Sequence, residues 1–179
     1  MLPLDSSRWT AFSTFFDSPE QMPQRLTSWR DAIGGPDEAS QWADLQEQFL
    51  HQFTITDAAY AVLPYLVEEL ARLTPEKAFE YLVSVALVEA ARQQPEAPAL
   101  PPDLADAYHA AIVRARRLAM ESLSLDWSKA EFRYLLSALS SLHGHGVMGE
   151  LLFHLDCICG TCPNCGTSVY PEEIPKSGY

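Results

Sequence analysis

The chain has 179 residues, 47% of them hydrophobic, enough for one compact domain, or one domain with a small appendage, that buries a real core. Its 24 Asp and Glu against 12 Lys and Arg give a formal net charge of −12, which argues against a nucleic-acid binder, because neutralising phosphates takes a surplus of clustered cations. The imbalance is uneven: counted along the chain, residues 1–100 hold 15 carboxylates against 6 Lys/Arg, whereas residues 101–150 hold 6 against 5. An acidic field over the front of the chain serves solubility, and it also speeds encounter with a basic partner.

The first residues, Met1-Leu2-Pro3-Leu4-Asp5, have neither the basic start nor the apolar run of a signal peptide. No stretch reaches the ~18 uncharged apolar residues that span a bilayer. The expected location is the cytoplasm, with no membrane involved. All four cysteines fall between 157 and 165, and in a reducing compartment so tight a cluster points to metal rather than to disulfides.

Helical spacing dominates wherever the chain is apolar, and no alternation of period two is evident before the cysteines. A first helix is expected over Arg8–Phe16, capped by Asp5, Ser6 or Ser7, with Trp9, Phe12 and Phe16 on one face. Ser18-Pro19-Glu20-Gln21 combines an N-cap serine, a proline at the first helical position and a Gln able to close a capping box, so a second helix starts there and ends at Gly34-Gly35. Pro36-Asp37-Glu38 opens a third through Trp42, Leu45, Phe49 and Leu50.

The clearest helix begins after Thr54 or Thr56 and sets Ala59, Val62, Leu63, Leu66, Val67 and Leu70 on one stripe. Pro64 lies inside it, where it removes the hydrogen bond to the Tyr60 carbonyl and should bend the axis. Thr74-Pro75-Glu76 starts its partner, whose stripe is Phe79, Leu82, Val83, Ala86, Leu87 and Ala90. Two such helices a few residues apart form an antiparallel hairpin.

Residues 93–102 contain four prolines and read as an extended linker between this hairpin and the next. The second hairpin places Leu104, Tyr108, Ala111, Ile112, Ala115 and Ala119 on its first helix. Phe132, Leu135, Leu136, Leu139 and Leu142 mark its second, with Asp126 as the expected cap. The fold class is therefore all-α: stacked antiparallel helical hairpins over 1–155, a cysteine knuckle or β-hairpin over 156–171, and a tail over 172–179.

His51-Gln52-Phe53-Thr54 followed by Ala58-Ala59-Tyr60-Ala61-Val62-Leu63-Pro64-Tyr65-Leu66 resembles a segment of small bacterial HEAT-like helical-repeat proteins. In those proteins a leucine-rich helix ends in His-Gln, a threonine caps the next helix, and a C-terminal Cys-Pro-x-Cys-Gly unit often follows, as Cys162-Pro163-Asn164-Cys165-Gly166 does here. The resemblance implies a solenoid of stacked hairpins. It also implies an immunity or antitoxin-like role, in which an acidic, non-enzymatic fold binds a basic toxin.

The knuckle carries the sharpest chemical signal. Cys-Pro-x-Cys-Gly lets two thiolates converge on one Zn²⁺ while the glycine permits the tight turn. Cys162 and Cys165 are the first candidate ligands for a structural zinc, followed by Cys159 and Cys157, with His143, His145 or His154 as replacements. The spacing differs from a two-knuckle ribbon, in which a dozen or more residues separate the pairs. A metal-free turn joining short strands near Ile158 and 168–170 is the competing reading.

Used with those histidines, the same cysteines would make a metal-dependent hydrolase or metal sensor, the alternative to a binding protein. His143-Gly144-His145-Gly146 reads first as a turn between helices. His51 has no nucleophile or paired carboxylate at a recognisable spacing. No Gly-rich phosphate loop, Gly-x-Ser-x-Gly elbow or His-Glu-x-x-His motif is present. Arg114, Arg116 and Arg117 read as a solvated helix face.

Overall fold

The computed structural model describes residues 1–155 and, by backbone alone, strand residues 160–161 and 168–169. The chain is mostly helical, with seven α-helices among the described residues: α1 (Met22–Ala32), α2 (Glu38–Phe49), α3 (Ala58–Leu70), α4 (Pro75–Arg92), α5 (Ala105–Ser122), α6 (Lys129–Leu142) and α7 (Gly146–Phe153). Two short 3₁₀ turns, Ser7–Ala11 and Pro19–Gln21, precede them. No described helix is long and apolar enough to cross a membrane.

The N-terminal segment departs from expectation. Only one 3₁₀ turn forms, capped by Ser6, whose Oγ accepts from Arg8 N–H at 3.2 Å. Trp9 and Phe12 are buried, but Phe16 stands 61% exposed, because the chain straightens after Ala11 and the helical face that would have aligned the three never extends that far. Gly34 ends the turn after α1 with φ of +81°, a left-handed conformation that glycine adopts without a steric penalty.

A second departure follows α2. Leu50–His51 and Thr54–Ile55 form strands β1 and β2, paired antiparallel with Leu50 opposite Ile55 and His51 opposite Thr54. The helix stops at Phe49, so His51 and Thr54 belong to a hairpin rather than to a helix end and a helix cap. Two strands of two residues are too short for alternation to show in the sequence.

α3 and α4 pack together, as do α5 and α6, with α3 also against α5 and α4 against α6. The stripe expected for α3 is buried in full, and the helix runs on through Pro64 to Leu70. T-shaped ring pairs fix the layers. Tyr60 of α3 meets Tyr108 of α5 at 5.3 Å, while Trp42 of α2 meets Tyr81 of α4 at 4.8 Å, with Trp29 of α1 at 5.3 Å from the same Tyr81 ring.

The cap of α6 is Ser128, not Asp126. Its Oγ accepts from Glu131 N–H at 3.2 Å and Glu131 Oε2 accepts from Ser128 N–H at 2.9 Å, a complete capping box. On α6, Leu135 and Leu142 are buried, whereas Phe132 and Leu136 remain exposed.

α7 packs onto α6 and α4 through its glycines. A Cβ on Gly149 would lie 1.9 Å from Ser141 Oγ and 2.9 Å from Ser137 O, and Ser137 Oγ donates to Gly149 O at 2.6 Å. So close an approach leaves no room for a side chain.

Candidate functional site

The outer side of α4 forms the floor of a groove. The stripe expected there divides in two: Leu82, Ala86 and Ala90 are buried with Tyr81 and Val85, while Phe79, Val83 and Leu87 stay half-buried. Spaced by four residues, these three side chains line up along the helix and open into a groove of about 310 Å³.

Gln46 of α2 forms one wall of this groove, and Tyr134 of α6 with Phe153 of α7 forms the other. Gln46 Nε2 donates to Ser84 Oγ at 3.0 Å, tying the first wall to the floor. Trp127 packs on Phe79 at 4.7 Å between ring centres, beside one end of the groove, its Nε1 donating to Ser122 O at 2.7 Å.

An aromatic cluster supports the second wall. Phe153 lies 5.1 Å from Tyr134 and 5.2 Å from Phe53, and Phe53 stacks on His154 at 4.4 Å. Phe53 reaches α7 because Gln52 and Phe53 form a two-residue turn with φ of +46° and +62°. Both values are left-handed, as a type I′ hairpin turn requires, although neither residue is the Asn or Gly usual there.

The α4 side of the groove carries two carboxylates, with Lys77 between them on the helix. Glu80 lines it, and Glu76 lies one turn earlier on the same helical face; both are exposed. Arg133 stands over the Tyr134 ring at 4.9 Å on the opposite wall.

Behind α4 lies a buried charge that sequence reading did not single out. Glu89 is 3% exposed, and its carboxylate accepts from Tyr108 Oη at 2.7 Å and from Arg92 Nε and Nη2 at 2.9 and 2.7 Å. Burial, and then the neighbouring Glu89 charge, push the Tyr108 phenol well above its ordinary range. The Glu89 hydrogen bonds raise Arg92 further still. Tyr60 rises to about 12, chiefly through desolvation, and donates to Pro98 O at 2.5 Å, which ties the 93–102 linker to α3. Every polar atom of the Glu89 carboxylate has a partner, so the network reads as structural.

The residues proposed from sequence for metal chemistry are not brought together within the described residues. Cys157, Cys159, Cys162 and Cys165 lie outside them. Of that region the backbone pairs Gly160–Thr161 (β3) antiparallel with Ser168–Val169 (β4). His143 follows α6 and His145 precedes α7, both exposed on either side of Gly144, whose φ is +88°. His154 ends α7 against Phe53. Among the described residues no group of three or more His, Cys, Asp or Glu is placed to hold a metal ion.

His51 packs between Phe15 and Phe16, with ring centres 5.8 and 5.3 Å away, and among the described residues no hydroxyl or carboxylate bonds its side chain as a catalytic pair would need. Arg116 Nε donates to Leu142 O at the end of α6, and Arg117 pairs with Glu121 at 3.6 Å, so these two serve local structure, while Arg114 is exposed. No protein-family model, curated protein or solved structure matches this chain.

Proposed function

We propose that this chain is a non-enzymatic protein-binding module, immunity or antitoxin-like, that uses an acidic surface to hold a basic protein partner. The observation that carries this reading is how the charges of the first hundred residues are disposed. Arg8, Arg25, Arg30, Arg72 and Arg92 each pair with a carboxylate of the chain itself. Asp37, Asp44, Glu47, Glu76, Glu80 and Glu96 meanwhile face solvent. Internal pairing thus consumes most of the cations and leaves the acidic surplus outside, available to steer a basic partner.

The packing of α3 on α5 and α4 on α6 supports a HEAT-like stack as the scaffold. A zinc held by Cys162 and Cys165, with Cys159 and Cys157 completing the set, would close the C-terminal end of that stack; elemental analysis of the purified full chain tests this part separately.

The functional test is co-expression with a toxin encoded beside this chain. Protection of the cells, and a complex whose association slows steeply as salt rises, are expected. A neighbouring toxin that neither binds nor is neutralised would sink the immunity form. A partner whose association ignores salt would sink the acidic-surface form.

A further inference from the structure

We infer that the groove over α4 seats one basic amphipathic helix of the partner; the inference rests on the protein-binding reading and assigns that reading a site.

Among the described residues, the groove is apolar where the packed helices leave it open. From Phe79 through Val83 to Leu87 is eight helical steps of α4, a ridge about 12 Å long at the helical rise. That length matches two turns of a docking helix, whose anchors at i, i+3 or i+4, and i+7 would fall between the three side chains. Trp127 packs on Phe79 at one end of the ridge, and Phe153 stands with Tyr134 along its side, so the ridge has a marked end as well as a wall.

An extended strand is the poorer occupant. The floor and both walls are helices whose backbone hydrogen bonds are internal, so the groove offers no open sheet edge for strand addition. A helix, by contrast, satisfies its own backbone and needs only apolar anchors and complementary charge.

The charge of the occupant follows from the two lips. Glu76 and Glu80 edge the α4 side, and Arg133 sits on the Tyr134 side. A helix with Lys or Arg along one edge of its apolar face meets the carboxylates when that edge runs over α4, and an acidic helix would be repelled there. The Gln46 amide bonded to Ser84 supplies a polar group at the same lip.

The experiment uses the full chain and a fluorescent 18-residue Leu/Lys peptide with leucines at i, i+3, i+4 and i+7. The comparison peptides are a scrambled one of the same composition and a Leu/Glu one of the same pattern. Anisotropy titration should give at least tenfold tighter binding for the patterned Leu/Lys peptide than for either control. Val83→Glu should weaken it tenfold or more. Glu80→Lys, an exposed position where folding is not at issue, should weaken it several-fold, and Val113→Glu, at an exposed apolar position of α5, should leave it unchanged.

Equal binding of the scrambled peptide, or unchanged binding by a folded Val83→Glu together with Glu80→Lys, overturns the inference. The same variants applied to a natural partner separate the two levels. A partner that binds wild type and both variants alike leaves protein binding standing and removes the groove from it. A patterned peptide that binds in a Val83- and Glu80-dependent way keeps the groove even where the toxin test fails.

Discussion

Tyr108 on α5 donates its phenolic hydrogen to Glu89 on α4 at 2.7 Å, and both residues are withdrawn from solvent. The contact joins two successive hairpins through a buried charge that Arg92 completes from one turn further along α4. Losing one partner of such a set leaves polar atoms stranded. Glu89→Ala should therefore cost about 3 kcal/mol, at the low end for a buried pair because the Arg92 side chain is 31% exposed and can turn to water. Tyr108→Phe should cost only about 1 kcal/mol, since Glu89 keeps its Arg92 bonds. Urea unfolding of both variants checks the order, and equal costs would contradict the network as described.

The same phenols set an upper pH limit on stability. Burial raises Tyr60 to about 12 and moves Tyr108 in the same direction, so the folded state holds both protons more tightly than the unfolded chain, where tyrosine titrates near 10. The stabilisation is thus complete below pH 10 and is lost as pH rises from 10 through the folded values. Thermal midpoints should hold steady up to pH 10 and fall steeply above it. Tyr60→Phe, having no proton to lose, should flatten part of that fall; an identical alkaline profile in the variant would assign the loss elsewhere.

Gly149 is the point at which α7 packs tightly against α6. Any Cβ there meets Ser141 Oγ at 1.9 Å and the Ser137 carbonyl at 2.9 Å, and only the first of these can swing aside. Gly149→Ala should cost about 2 kcal/mol, in the range of overpacked cores. The damage should be local, with α7 amides exchanging faster while those of α3 keep their protection. Phe153 would leave the groove wall with it, so the variant should also bind the patterned peptide more weakly. Uniform loss of protection across α3 and α7 would show instead that α7 is integral to the whole fold.

How much of this was legible in the sequence depended on whether the signal was local and periodic. The stripe of Ala59, Val62, Leu63, Leu66, Val67 and Leu70 is long and regular, and it buries as read. The α4 stripe was read correctly as helical but incompletely as core. Six apolar positions cover a wider arc than one interface needs, and the surplus Phe79, Val83 and Leu87 became the groove. That split depends on where α2, α6 and α7 lie, which no local pattern encodes.

The Ser128-x-x-Glu131 capping box is a motif of the sequence itself and a stronger start signal than Asp126; its hydrogen bonds from Ser128 hold the Glu131 carboxyl below its ordinary range. Glu89 looked like one more acidic residue because its partners, Tyr108 and Arg92, come from two helices. The β1–β2 hairpin was missed for a chemical reason as well as its shortness: its turn is Gln-Phe, where Asn-Gly would have announced it.

That turn sets two effects in opposition. Gln52 is exposed and gains nothing from its φ of +46°, so Gln52→Gly should relieve a left-handed cost and stabilise the chain by about 1 kcal/mol. Phe53 at +62° carries a similar cost, but its ring packs on Phe153 and His154, an aromatic contact worth about 1 kcal/mol beyond its buried area. Phe53→Gly, which also gives up the buried area of the ring, should accordingly destabilise the chain and loosen α7, seen as faster exchange there and weaker peptide binding. Gln52→Gly should leave both untouched. The pair separates turn strain from groove support: if Phe53→Gly stabilises as Gln52→Gly does and α7 exchange is unaltered, Phe53 has no hold on the groove wall.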